Sequence, residues 1–314
     1  MSKFCFGADI GGTTVKLGLF EENGEVVEKW EIPTHTADGG KNILPEIAES
    51  IKAKIEEHSI KSNDIIGIGM CAPGPVDSNG LIYKAVNLNW GVMNIKDQLS
   101  ELTGFKVVAG NDANVAALGE MWKGGGMGHK DVIVVTLGTG VGGGIIIDGK
   151  ILTGAIGAGG EVGHIHIQDG EEEACGCGNY GCLEQYASAT GVVRLAKRRL
   201  AKDKKSSVLR DIKNITAKDV FDAVKNDDEV AKEIAEQFGE YLGKGLAAIA
   251  AVSNPDVIVI GGGVSKAGEV LIDYVSKYYR QYVFHASRDA SFVLATLGND
   301  AGIFGAAKLV LDEK

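Results

Sequence analysis

Val132 to Leu152 reads VIVVTLG-TGVGGG-IIIDGKIL, an apolar run, a Gly/Thr turn and a second apolar run. β-branched residues in short runs bounded by glycine read as strands. Gly138 to Gly143 satisfies G-x-G-x-x-G to the letter. A dinucleotide fold, however, needs a helix directly after that motif. Here Ile145-Ile146-Ile147 and the tight turn Asp148-Gly149-Lys150 follow instead, so the Rossmann reading fails on context. No G-x-x-x-x-G-K-[ST] occurs either, which excludes a P-loop. The same strand–turn–strand pattern opens the chain. Phe4 to Ile10 reads as a strand, Gly11-Gly12-Thr13-Thr14 as a turn and Val15 to Phe20 as a second strand. Glu22-Asn23-Gly24 then turns the chain into a third, Val26 to Ile32.

The rest alternates helix and strand. Ile43, Leu44, Ile47, Ile51 and Ile55 fall at helical spacing. Ile65 to Met70 reads as a buried strand, and Lys106 to Ala109, Asp256 to Ile260 and Ser291 to Ala295 as further strands. Helices are expected from about Ala113 to Trp122, through most of Thr190 to Val252, and over Gly268 to Tyr282 and Ala301 to Leu311. The fold class is therefore α/β with two domains, each beginning with antiparallel strands around a Gly/Thr turn. The break falls near the glycine-rich stretch after residue 110. This gives a smaller domain over 1–115, completed by the C-terminal helix 301–314, and a larger one over 116–300.

Composition narrows the function. The 314 residues are 45% hydrophobic and 24% charged, the balance of a soluble globular enzyme. No apolar run approaches the roughly 20 residues of a membrane span. A net charge of -10 argues against nucleic acid as a partner. The basic stretch Arg194 to Lys205 carries apolar residues at helical spacing, so it reads as a helix with a solvated charged face. The five cysteines are odd in number and no apolar leader opens the chain, which points to a reducing cytoplasm. Forty-five glycines against five prolines cluster where strands end, where glycine lets a phosphate approach the backbone.

Four groups of residues carry chemistry. The first is H-x10-C-x-C-x4-C, running through His164, Cys175, Cys177 and Cys182. Cys3His is a structural zinc set, and Glu161 and Glu184 bracket it. A metal there would fix two carboxylates suited to a polyhydroxylated substrate. One His164 nitrogen would bind zinc while the other meets a hydroxyl. His166 would face the opposite side, toward solvent or packing. The second group is the pair of turns, Asp9 to Thr14 and Gly138 to Gly143. Facing each other across a cleft, their N–H groups and hydroxyls would clamp a polyphosphate, with Asp9 holding Mg2+ directly or through water. The third is Asn111-Asp112, either an N-cap pair or a general base kept ionised by a helix N-terminus. Gly261-Gly262-Gly263 follows an apolar strand; a nucleoside would rest there, beyond the strand's C-terminal end.

These residues resemble the ROK sugar kinases, and among them the bacterial glucokinases, over essentially the whole chain. Asp9-Ile-Gly-Gly-Thr-Thr14 is similar to the family's first phosphate motif and Thr136-Leu-Gly-Thr-Gly140 to its second. Glu161-Val-Gly-His164 and Cys175-Gly-Cys-Gly-Asn-Tyr-Gly-Cys182-Leu-Glu184 are similar to its sugar and zinc elements. Asn111-Asp112 matches the sugar-binding Asn and the catalytic Asp. The resemblance implies an actin-like, ribonuclease-H-like fold whose two domains close on sugar and ATP, usually in a homodimer, otherwise a tetramer. It implies ATP- and Mg2+-dependent phosphorylation of the glucose 6-hydroxyl, with Asp112 as base and a structural zinc ion. Gly74, Asn111, Asp112, Glu161, His164 and Glu184 would hold the sugar. Asp9, Gly11, Gly12, Thr13, Thr14, Gly138, Thr139, Gly140, Gly262 and Gly263 would hold the nucleotide. The alternatives are a kinase for mannose, fructose, N-acetylglucosamine or N-acetylmannosamine and, more remotely, a sugar-responsive repressor. Such repressors carry a helix-turn-helix domain before the first phosphate motif, for which the eight residues ahead of Asp9 leave no room.

Overall fold

The computed structural model describes residues 3–313. Met1, Ser2 and Lys314, which fall in the segments assigned above to the first domain, lie outside it. The first part of the chain forms β1 (Phe4–Ile10), β2 (Thr14–Glu21), β3 (Val26–Pro33), the irregular turn α1 (Ala37–Gly40), α2 (Ile43–Glu57), β4 (Ile65–Ala72), β5 (Leu81–Ile82) and β6 (Met93–Asn94). Then come α3 (Ile95–Thr103), β7 (Val107–Asn111), α4 (Asp112–Lys123), β8 (Val132–Leu137), β9 (Val141–Ile147) and β10 (Lys150–Ile151). The remainder is α5 (Glu184–Ala187), α6 (Ala189–Lys202), α7 (Ala217–Lys225), α8 (Glu229–Ser253), β11 (Val257–Gly261), α9 (Glu269–Tyr282), β12 (Ser291–Leu294) and α10 (Ala301–Asp312).

Two five-stranded sheets have matching plans. The first runs β3-β2-β1-β4-β7 and the second β10-β9-β8-β11-β12. In the first, β1 pairs antiparallel with β2, and β4 lies parallel between β1 and β7. In the second, β11 lies parallel between β8 and β12. The echo between the two strand–turn–strand segments is thus a repeated sheet order. Contacts divide the chain into two compact units, Met1–Gly128 with Gly144–Gly160 and Leu297–Lys314, and His129–Gly143 with Glu161–Thr296.

In the first unit the period-2 alternation of β1 feeds two layers. Phe6 and Ala8 pack with Ile47 and Ile51 of α2 and Leu99 of α3, whereas Cys5 packs with Phe20, Ile303 and Ala307 toward α10. Gly7 and Gly69 are partners in the β1–β4 register. A Cβ at either would overlap a backbone carbonyl of α10, that of Ile303 or Ala306. The two glycines therefore let that helix lie directly on the sheet. The first unit keeps α4 whole and runs to Gly128. The cause is helix packing: a Cβ at Gly119 would overlap the Ala301 carbonyl, and one at Gly305 the Val115 carbonyl. α4 and α10 touch backbone to backbone, and the contact cannot be divided mid-helix.

The second unit is built on β8, β11 and β12, whose β8 and β11 residues are almost all fully buried. α8 buries Ile234, Phe238, Leu242 and Leu246 along one stripe. Phe238 meets Phe221 of α7 edge to face, and Tyr279 of α9 meets Phe292 of β12 in the same way. Among the described residues, no helix is long and apolar enough to cross a membrane.

Candidate active site and metal centre

In the first unit, β7 ends at Asn111 and α4 begins at Asp112. Asn111 is buried and caps the helix, its Oδ1 accepting from Asn114 N at 3.1 Å. Its Nδ2 donates to Gly74 O and to Asp112 Oδ1, both at 3.1 Å. Asp112 Oδ1 also accepts from Ala113 N at 2.8 Å. The carboxylate therefore sits at a helix N-terminus, with its rotation fixed by two donors. Gly74 has φ +99°, and a Cβ there would come within 2.7 Å of Lys84 O, so only glycine fits. The capping role and the role of holding Asp112 coexist in Asn111.

Asp9 is the penultimate residue of β1, beside the turn. Cys71 Sγ donates to its Oδ1 at 3.4 Å, and Oδ2 lies against Gly302 in the first turn of α10. Burial raises the Asp9 pKa, while the Cys71 hydrogen bond and the Lys16 charge oppose it. Burial likewise pushes the Cys71 thiol up, helped by Asp9 and Asp112, so the thiol stays a donor. The turn after Asp9 is closed by Gly11 N donating to Thr14 O at 3.0 Å and tied to β3 by Thr34 N donating to Thr13 O at 2.9 Å. Gly12 and Thr13 are exposed.

In the second unit, a ring nitrogen of His164 and the sulfurs of Cys175, Cys177 and Cys182 all lie within 4.8 Å of one another. Cys177 Sγ and Cys182 Sγ are 3.7 Å apart, and Cys175 Sγ is 3.8 Å from His164 Nδ1. Two thiolates about 2.3 Å from one zinc at the tetrahedral angle stand roughly 3.8 Å apart, so the cluster has the dimensions of a closed four-ligand site. Burial raises Cys175 and pushes Cys182 up to about 12, whereas a backbone hydrogen bond at Asn179 lowers Cys177. His164 turns its other nitrogen, Nε2, to 4.0 Å from Glu161 Oε2. His166 points elsewhere: Nδ1 is 2.9 Å from Tyr180 O and Nε2 2.9 Å from Asp169 Oδ1. With an oxygen at each nitrogen, its pKa rises, Asp169 contributing most.

Glu184 does not stand alone as an acceptor. Its Oε2 accepts from Val141 N at 2.9 Å and its Oε1 lies 3.5 Å from Cys175 Sγ. The turn Gly138-Thr139-Gly140 is thereby joined to the residues around the cysteine loop. Gly262, with φ +83°, packs on the Leu137 backbone, where a Cβ would lie 2.5 Å from Leu137 N. Gly263 follows it, two residues beyond the end of β11. A cavity of about 560 Å³ opens beside Thr139, lined by Thr190, Arg194, Lys197 and Thr216 among others.

The basic stretch departs from a fully solvated face. Arg198 grips Glu171 with two hydrogen bonds of 2.9 and 2.8 Å. Tyr186 also donates to Glu171, and Arg194 pairs with Glu173 at 2.9 Å. Arg199 is buried against Glu233 and Asp203. The Glu171 side chain is 3% exposed. Arg198 above all holds its pKa at about 2. Tyr186 stacks on Tyr241 at 4.2 Å, so the network pins α5, α6 and α8 to the loop before the cysteines. The Glu171-Glu172-Glu173 run opposite a basic helix was the signal in sequence.

The chain belongs to the ROK family, whose model matches residues 5–313. Its fold is the actin-like, ribonuclease-H-like α/β fold of that family's sugar kinases. It is 45% identical to a glucokinase of Halalkalibacterium halodurans over 99% of this chain and 96% of the relative. Among solved structures it is similar to the ROK hexokinase of Thermus thermophilus, at 32% identity and TM-score 0.80, covering 99% of this chain and 97% of the other. It is also similar to the ROK family glucokinase of Streptomyces griseus solved with glucose and AMPPNP, at 35% identity and TM-score 0.73, covering 98% of both chains.

Proposed function

We propose that this protein is a glucokinase, transferring the terminal phosphoryl group of ATP to the 6-hydroxyl of glucose. The observation that carries the mechanism is the fixed carboxylate of Asp112, held by Asn111 and the N-terminus of α4. Asp112 accepts the hydroxyl proton as the sugar oxygen attacks. The carboxylate need not be a strong base, because that proton leaves late in a loose transition state. Asn111, Glu161, His164 and Glu184, with the Gly74 backbone, hold the ring hydroxyls. The turns at Gly11-Gly12-Thr13-Thr14 and Gly138-Thr139-Gly140 hold phosphates through N–H and hydroxyl groups. The nucleoside rests near Gly262 and Gly263 and the cavity beside Thr139.

Asp9 suits a hydrated Mg2+, an oxygen-preferring ion that when bound neutralises charge on the transferring phosphates. His164, Cys175, Cys177 and Cys182 suit zinc, a structural ion that fixes the loop carrying Glu184. The Nδ1 side of His164 would serve the metal and leave Nε2, near Glu161, for a sugar hydroxyl. Rate enhancement then comes from positioning and charge stabilisation. We place the enzyme in the cytoplasm, as a homodimer or tetramer.

A panel of hexoses and N-acetylated amino sugars, assayed with ATP and Mg2+ on the protein and on Asp112→Asn, tests the reading. Glucose is expected to give the highest kcat/KM. Asp112→Asn is expected to lose at least about a hundredfold in kcat, the usual scale of general-base loss, while glucose affinity stays within tenfold. Faster turnover of another sugar would reassign the substrate, and near-normal turnover by Asp112→Asn would remove it as base.

A further inference from the structure

The turn proposed to hold phosphates makes few bonds of its own. It is held by a single segment about fifty residues later. Gly138 O accepts from Ala189 N at 2.8 Å. Thr139 O accepts from the Thr190 hydroxyl at 2.6 Å. Val141 N donates to Glu184 Oε2 at 2.9 Å. The segment is in turn braced within itself. The Ser188 hydroxyl donates to Glu184 O at 2.7 Å, lies 2.8 Å from Thr190 Oγ1 and caps α6 by accepting from Gly191 N. A Cβ at Gly140 would overlap Glu184 Oε2, so a side chain there would displace this carboxylate.

Peptide planarity gives these bonds a direction. In a trans peptide the N–H points opposite to the C=O of the same unit. Gly138 O and Thr139 N–H share one unit, as do Thr139 O and Gly140 N–H. Tying both carbonyls back to Ala189 and Thr190 therefore aims the N–H groups of Thr139 and Gly140 away from that segment. Among the described residues these two N–H groups meet no acceptor. Successive N–H groups presented in this way make an anion-binding concavity.

We propose that Thr190 and Glu184 are positioning residues for the nucleotide. They hold the 138–141 turn so that two backbone N–H groups face the terminal phosphates. This rests on the kinase reading above, but no sugar contact requires it. For Thr190, whose hydroxyl is directed at a carbonyl, the consequence is selective: its loss loosens phosphate binding and spares the sugar. For Glu184 it joins the residue after the last cysteine of the metal loop to the phosphate turn. The loop then serves both substrates.

The test compares the metal-loaded full chain with Thr190→Val and Thr190→Ser. Valine keeps the branched shape and removes the hydroxyl; serine restores it. Binding of MgADP and of glucose is measured separately by calorimetry, alongside the melting temperature. Loss of one hydrogen bond that orients the turn is expected to weaken MgADP binding about fivefold in Thr190→Val. Glucose affinity should stay within twofold, and Thr190→Ser should recover most of the loss. Unchanged MgADP binding in Thr190→Val, or an equal loss for both ligands with no recovery by serine, overturns the positioning role. Failure of the unaltered protein to bind MgADP would remove the kinase reading itself, a result distinct from either.

Discussion

Replacing Glu171 by glutamine removes the buried charge of the Arg198–Glu171 ion pair in the second unit. In the folded protein the Glu171 carboxylate ionises at about 2, against an ordinary 4.5. At about 1.4 kcal/mol per unit this is a differential of roughly 3 kcal/mol. The side chain is 3% exposed, whereas Arg198 is 42% exposed, so water recovers part of the guanidinium's solvation when the partner is lost. Glu171→Gln is therefore expected to cost about 2–3 kcal/mol at pH 7, below the full cost of breaking a dry pair. That corresponds to a fall in Tm of roughly 5–10 °C for a unit of this size. The sign with pH follows from a depressed folded-state pKa. The stabilisation is complete above about 4.5, declines as pH falls, and is gone near 2. Thermal melts of both proteins from pH 7 downward should show the gap in Tm constant to about pH 5 and closing below it. A gap under 1 °C at pH 7, or one that widens in acid, would refute the reasoning.

Two further outcomes follow from other parts of the structure. Metal analysis of the purified protein should find about one zinc per chain, as a single closed site requires. Cys177→Ser should lower that content and weaken sugar affinity through Glu161, His164 and Glu184. Unchanged glucose binding in a metal-free sample would separate the metal from the sugar. Gly69→Ala places a Cβ on the Ala306 carbonyl and must push α10 off the sheet. Overpacking of this kind costs at least about 1–3 kcal/mol, so chemical denaturation should give a lower midpoint at unchanged slope.

The strand–turn–strand segments were legible because the first strand of each, Phe4 to Ile10 and Val132 to Leu137, is mostly apolar and runs into a Gly/Thr turn. The buried stripe of α2 was legible because Ile43, Leu44, Ile47 and Ile51 recur at helical spacing. α3 was not, since only Ile95, Leu99 and Thr103 of its nine residues are buried, too brief a pattern to separate from loop. The two-residue strands β5 and β6 have no periodicity to read. In the site, the cysteines, His164 and Asn111-Asp112 announce themselves by residue type and spacing. Thr190 does not, because its partner is a main-chain carbonyl 51 positions away, and carbonyls leave no trace in residue identity. Glu184 could be singled out beside the cysteines, but its bond to Val141 N depends on how two distant segments fold together. The burial of Glu171 beneath Arg198 was harder to read, because a basic helix looks solvated until the acidic run Glu171-Glu172-Glu173 is placed against it.

The seat of α10 on β1 and β4 has a consequence for how the polypeptide is made. The strands that receive this helix leave the ribosome early, and Ile303 and Ala307 follow about 300 residues later. At about 5–20 residues per second, that interval is roughly 15–60 s. Throughout it, Cys5, Phe20 and their neighbours lack the helix that covers them in the finished molecule. The nascent first unit therefore waits, half-assembled and greasy on one face, while the second unit is synthesised with all its own strands in hand. Chaperone dependence during translation should be concentrated on that waiting surface, and a truncation that removes α10 should yield inclusion bodies rather than a smaller soluble protein.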